Sequence, residues 1–203
     1  MADTKKKTPL NCRNFTAWAM TDEDEETYSQ TPVSLAGKTM NFTDSLTVNT
    51  TDLSGDGVIA DTATGVGKGQ LTVGIHDLTD SERVTFFGET LQNGAVVTTG
   101  RESSPALCVA LVTDCATDGS VVNLYKWFAV RFKPNEVNVQ QIDNGNVTFS
   151  TTSIQGDYTR NSRLGMMRAK RSHVDTTTVE GAALVQSWIT QADYIGPEGN
   201  NNG

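Results

Sequence analysis

The residues spaced most like a chemical site are Asp52-Leu53-Ser54-Gly55-Asp56-Gly57-Val58-Ile59. Side-chain oxygens at the first, third and fifth positions, with glycine at the sixth, suit the first half of a calcium-binding loop. Such a loop needs a bidentate glutamate at its twelfth position, and Ala63 stands there. No amphipathic helix flanks the segment, so it reads as a turn. Gly65-Val66-Gly67-Lys68-Gly69 has the composition of a phosphate loop, but Thr62 and Gly69 occupy the places where glycine and Ser or Thr are needed. Those glycines are expected to let a strand bend or approach another backbone.

The two histidines, His76 and His173, have no nucleophile context, and Asp77 beside His76 points to the opposite face of a strand. The three cysteines, Cys12, Cys108 and Cys115, lack the spacing of a zinc site. Their odd number suits a reducing compartment, with Cys108 as a small core residue. Neither a catalytic centre nor a cofactor or metal is expected.

The elements that would carry any site are mostly strands. Of the 203 residues 36% are hydrophobic and 20% charged, and Thr, Ser, Asn and Gly are abundant. A chain of this length can bury roughly 70% of its unfolded surface without staples. The net charge of −8 and sequence pI near 4.7 disfavour nucleic-acid binding. The first residues have no apolar stretch of a signal peptide, and no run approaches a membrane span.

Residues 1–11 read as a flexible arm, 12–195 as one β-domain and 196–203 as a disordered tail. A first strand is expected at 14–20, with Phe15, Ala17 and Ala19 on one face, and a short strand at 33–35. Residues 43–65, rich in Thr, Ser, Asp and Gly, predict a long hairpin or loop. Leu71, Val73 and Ile75 alternate with polar or small residues, the period of a half-buried strand. Thr79 and Glu82 have capping-box spacing for a helix ending at Gly88, with Val84 and Phe87 turned inward. Residues 106–112 are apolar on both faces, as in a central strand. After an Asp118-Gly119 turn, Val122, Leu124, Phe128, Val130 and Phe132 share one parity, broken by Lys126. Tyr125, Trp127 and Ala129 form a second face that needs cover from a helix or another subunit. Asp143-Asn144-Gly145 predicts a hairpin between strands at 137–142 and 146–153. A helix is expected over 179–193, with Thr177 and Glu180 as a second capping box and Leu184, Val185, Trp188, Ile189 and Ala192 as its apolar stripe.

Two charged clusters stand out. Asp22, Glu23, Asp24, Glu25 and Glu26 form an unbroken acidic run suited to a solvated loop, and Arg160, Arg163, Arg168, Lys170 and Arg171 form a basic cluster in an acidic protein. The basic cluster fits a solvated loop, a nucleic-acid contact or an acidic patch on an identical neighbour. The last is preferred, because no aromatics interleave with the bases and charge segregation can set register between copies. The candidate subunit interface therefore comprises both clusters together with Asp52, Leu53, Asp56, Val58 and Ile59 of the long loop.

The order of these features resembles the major tail proteins, or tail-tube proteins, of long, flexible-tailed phages. The resemblance rests on Asn14-Phe15-Thr16-Ala17-Trp18-Ala19, Thr31-Pro32-Val33-Ser34-Leu35-Ala36-Gly37, the strand ending Gly74-Ile75-His76-Asp77-Leu78, the helix ending Phe86-Phe87-Gly88, and the terminal helix with Trp188 and the Tyr194-Ile195 that follows it. It covers about residues 12–195. It implies a mainly β, sandwich- or barrel-like fold with a short helix between strands and a C-terminal helix. It further implies a structural virion protein that stacks as hexameric rings into a hollow tail tube conducting double-stranded DNA. The implied partners are copies of itself, a tail-tip initiator, and terminator or tape-measure proteins, with DNA passing unbound. The implied location is the virion tail, after assembly in the host cytoplasm. No catalytic residues carry over. The rival readings are another phage structural β-domain (a tail terminator or a capsid decoration protein), a pilus-like domain, a hydrolase, and a calcium- or carbohydrate-binding module.

Overall fold

A computed structural model describes residues 8–35, 37–55, 58–115, 118–134 and 152–197, with backbone alone for 51–55 and 58–64. The expected hairpin around Asp143-Asn144-Gly145, most of the N-terminal arm and most of the C-terminal tail lie outside these residues. The fold is mainly β and sandwich-like, as expected. Its strands are β1 (Asn11–Asp22), β2 (Thr27–Tyr28), β3 (Val33–Ser34), β4 (Thr39–Gly55), β5 (Val58–Ile75), β6 (Thr90–Gln92), β7 (Ala95–Val97), β8 (Leu107–Asp114), β9 (Val121–Lys133), β10 (Thr152–Tyr158) and β11 (Arg168–Asp175). Its helices are α1 (Asp80–Phe87) and α2 (Val179–Thr190). The arm gives way to structure early, since Leu10 N–H already bonds Asp114 O.

Nine strands among the described residues form one antiparallel sheet in the order β2-β1-β8-β9-β10-β5-β4, with β3 also on β1 and β11 also on β9. The sheet curls until Cys12 Sγ on β1 reaches the Thr39 carbonyl on β4, at 3.8 Å. The centre of the sheet is apolar on both faces. Along β1, Phe15 and Ala17 join one core with Leu71, Val73, Ile75, Phe86 and Phe87. Trp18 joins a second core with Cys108, Leu124, Phe128 and Trp188 beneath α2.

The single parity expected for β9 does not hold. Ala129 takes a left-handed backbone, φ 48. Leu107 pairs with Val130 while Val109 pairs with Trp127, so β9 carries one extra residue between those rungs. This bulge turns Val130 and Phe132 to the face of Trp127, while Val122, Leu124 and Phe128 stay on the other. Its freed amides find partners: Phe128 N–H bonds Met167 O at 2.9 Å and Ala129 N–H bonds the Tyr28 hydroxyl at 3.2 Å. The bulge also marks where β9 changes neighbour, from β11 over its first half to β10 over its second.

The α1 capping box forms as expected, with Thr79 N–H to Glu82 Oε2 at 2.7 Å and Glu82 N–H to Thr79 Oγ1 at 3.4 Å. Phe86 and Phe87 are the buried pair, with Val84 half-buried. At α2 the cap is Thr178, not Thr177; its hydroxyl accepts from Gly181 N–H at 3.0 Å. The Thr177 hydroxyl is instead bonded to Asp175 Oδ1 at 2.6 Å. Leu184, Trp188 and Ala192 pack inward, with Val185 and Ile189 half-buried.

Gly181 lets α2 start directly against the end of β11, since a Cβ there would lie 1.8 Å from the Asp175 carbonyl oxygen. Gly181→Ala should therefore cost about 1–3 kcal/mol through overpacking, despite alanine's better helix propensity. Calorimetry should show a lower melting temperature for the variant; an unchanged or raised value would contradict this packing.

Candidate functional site

The long hairpin or loop expected at 43–65 is a hairpin, a two-stranded ribbon. β4 and β5 pair from Thr39–Ile75 out to Gly55–Val58, with register shifts at three places. Along the root of β4 the side chains alternate. Phe42, Asp44 and Leu46 are half-buried, while Asn41, Thr43 and Ser45 face solvent. Beyond the Leu46–Gly69 rung, both faces of the next residues are exposed, including the cross-strand pair Val48 and Val66. At about 3.3 Å per residue, the outer part of the ribbon extends roughly 30 Å from the body.

Its root is fastened in two ways. The Phe42 ring meets Tyr125 at 5.1 Å and Trp127 at 5.6 Å, and those two rings stack at 5.9 Å. Each such pair contributes about 0.5–1.5 kcal/mol beyond its area. Phe42 of the chain's own ribbon thus covers Tyr125 and Trp127 on the second face of β9. The other fastening is polar. Tyr158 on β10 donates from its hydroxyl to Asp44 Oδ1 at 2.5 Å, and Arg168 on β11 pairs with Asp44 Oδ2. Burial, reinforced by the bond to Asp44, pushes the Tyr158 phenol well above its usual range, so it remains a donor. Gly69 makes room, because a Cβ there would meet the Tyr158 ring at 2.0 Å.

The acidic run forms the turn between β1 and β2. Asp22 Oδ1 accepts from the N–H groups of Asp24 and Glu25, both at 2.9 Å. Glu26 Oε2 accepts from Ser162 N–H and from Arg163 N–H (3.1 Å), and the Arg163 guanidinium reaches Asp193 at 2.7 Å. Glu23 pairs with Arg131 at 2.8 Å. The fold therefore brings the acidic run against the 160–163 end of the basic cluster within one chain. Arg160, Lys170 and Arg171 are exposed, and Lys170 Nζ lies 5.3 Å from the Tyr125 ring centre. Asp52, Leu53, Val58 and Ile59 fall on the outer ribbon, where only the backbone is described, and Asp56 lies outside the described residues.

His76 and His173 are both exposed. The described residues contain no group of three His, Cys, Asp or Glu side chains suited to a metal. Cys12, Cys108 and Cys115 are buried, and none of them forms a disulfide. Asp44, Tyr158 and Phe42 escaped sequence reasoning, because their partners are more than 80 residues away. The β4 alternation Phe42-x-Asp44-x-Leu46 was the available signal.

No protein-family model matches this chain, and no curated protein matches its sequence.

Asp44→Ala should strand the Tyr158 hydroxyl and release Arg168, weakening the ribbon root by about 2 kcal/mol. Hydrogen exchange of the root amides on β4 and β5 should then rise roughly thirtyfold, with α2 unaffected. Unchanged root exchange would show that Phe42 alone fastens the ribbon.

Proposed function

We propose that this chain is a structural subunit that polymerises into the tail tube of a phage, as stacked and hexameric rings around a bore that conducts double-stranded DNA. The observation that carries this reading is the ribbon. Where it leaves the body, at 47–50 and 65–68, both of its faces are exposed, yet its root is fixed by aromatic packing and by a half-buried carboxylate. Sequence positions 45–67 contain Asp52, Asp56 and Asp61 and no Lys or Arg. β4 also ends the strand order of the sheet. Edge strands in soluble proteins are commonly protected by lysine or proline, and the outer part of β4 has neither. Such a strand, with an exposed Val48–Val66 pair, suits contact with a neighbouring copy.

The net charge of −8 suits the same role, since an acidic bore gives phosphates nowhere to adhere. The role needs no catalytic residue, metal or cofactor. Contacts between rings, with a tail-tip initiator and with a terminator would be the partners, and the virion tail the location. Within this reading Arg160, Lys170 and Arg171 of the basic cluster meet acids of an adjacent copy, because Glu26 is already occupied by residues 162–163 and Arg163 and Arg168 are paired with Asp193 and Asp44.

Replacing residues 53–61 by Asn-Gly keeps the Asp52–Thr62 pair as the last rung. The shortened protein should remain folded by circular dichroism and fail to form tubes in electron micrographs. Tubes of normal length from this variant would reject the role given to the ribbon. Reversing Lys170 and Arg171 to glutamate should impair assembly while leaving the Asp44–Arg168 pair intact. Assembly unchanged by that reversal would remove the basic cluster from the interface. Single rings in place of stacked ones would favour a tail terminator.

A further inference from the structure

Lys126 interrupts the apolar pattern of β9, and its side chain is 0% exposed. Its Nζ lies between two indoles, 5.3 Å from the Trp18 ring centre and 5.0 Å from that of Trp188. It donates to the carbonyls of Gln191 at 2.7 Å and Tyr194 at 2.8 Å. Gln191 is the C-cap of α2, where helix carbonyls lack backbone partners and positive charge is favoured. The same stretch is held by Cys108 Sγ to Ala192 O at 3.4 Å and by Arg163 on Asp193 at 2.7 Å. Residues 191–194 are therefore held by these polar bonds as well as by the packing of Ala192 and Tyr194 on the second core, and Lys126 supplies two of the bonds. An open groove of about 590 Å³, lined by Trp18, Tyr28, Gln30 and 190–194, runs alongside.

The lysine is under opposing forces. Burial disfavours its ammonium form, while two carbonyls, two indole faces and the helix end favour it. Burial prevails, and Lys126 is pushed down from 10.5 to about 8, with Asp193 opposing the fall. The other groups facing it are Cys108 on β8 and Tyr28 on β2, each pushed up to about 12 chiefly by burial, and Asp193, which is paired with Arg163. Neither the thiol nor the phenol changes charge between pH 7 and 9.

We propose that residues 191–194 form a strap over the sheet whose closure is set by the protonation of Lys126 and tightens as the solution becomes more alkaline. Opening the strap would hydrate the lysine and restore its ordinary basicity. In the range between the two values the closed form holds fewer protons than the open one, so raising the pH draws the equilibrium toward closure. The neutral amine still has two N–H groups for its two carbonyl acceptors. From values of about 8 closed and 10.5 open, the closing constant rises roughly tenfold between pH 7 and 9. The proposal concerns the single chain and does not depend on self-assembly.

Native-state hydrogen exchange of the strap amides, corrected for the intrinsic effect of pH, reads this equilibrium directly. The wild-type chain should show a roughly tenfold drop in strap opening from pH 7 to 9, and Lys126→Met should show none. A wild-type strap indifferent to pH, or the same drop in the variant, overturns the proposal. Should Lys126→Met fail to fold, an NMR titration of the wild-type lysine decides. An inflection near pH 8, matched by shifts of the Trp18 and Trp188 indole signals, supports the strap. A lysine that titrates at its ordinary value overturns it.

Discussion

A strand that is apolar on both faces has to be covered twice. β8 is buried along nearly its whole length, and β9 presents Trp127, Val130 and Phe132 to one side and Val122, Leu124 and Phe128 to the other. Most other features of the molecule answer that demand. The sheet curls over one face and brings α1 with it, and α2 lies across the opposite face. The bulge at Ala129 is what allows β9 to serve both. It rotates the strand between its two halves and hands it from β11 to β10.

The same demand fixes the ribbon. The rings of Tyr125 and Trp127 need a cover, and Phe42 at the root of β4 provides it. Asp44, two residues on, points the same way and engages groups from two further strands, Tyr158 and Arg168. Local burial at the root gives the carboxylate low exposure, which strengthens its bonds. The projecting half inherits its direction from those contacts. A long arm held stiffly at one end suits an assembly element better than a loop that must be ordered on contact, which would forfeit part of its binding energy to entropy.

Local chemistry made much of the fold legible in the sequence. The α1 capping box, the alternation of Leu71, Val73 and Ile75, and the two-faced run ending at Val112 depend on near neighbours, and all three appear as expected. Local patterns mislead where distant residues decide. The β9 parity breaks at Ala129, whose left-handed backbone is accommodated by Tyr28 of β2, which accepts from its N–H, and by Met167 just before β11, which accepts from Phe128 N–H. The α2 cap moved by one residue because Asp175 captures the Thr177 hydroxyl. Lys126 registered only as a flaw in a pattern, since the carbonyls that accept from it lie more than 60 residues along the chain. Of the candidate interface, the charge clusters were visible as composition. That Glu26 already meets residues 162–163 required the fold.

In the proposed role, the firmly rooted ribbon makes the contact between copies. Negative-stain electron microscopy of the purified wild-type chain over a range of concentrations tests this most directly. Hollow tubes of stacked rings with uniform diameter are the result the account predicts. Separate single particles at every concentration, with no rings even when a tail-tip complex is supplied as a nucleus, would contradict it.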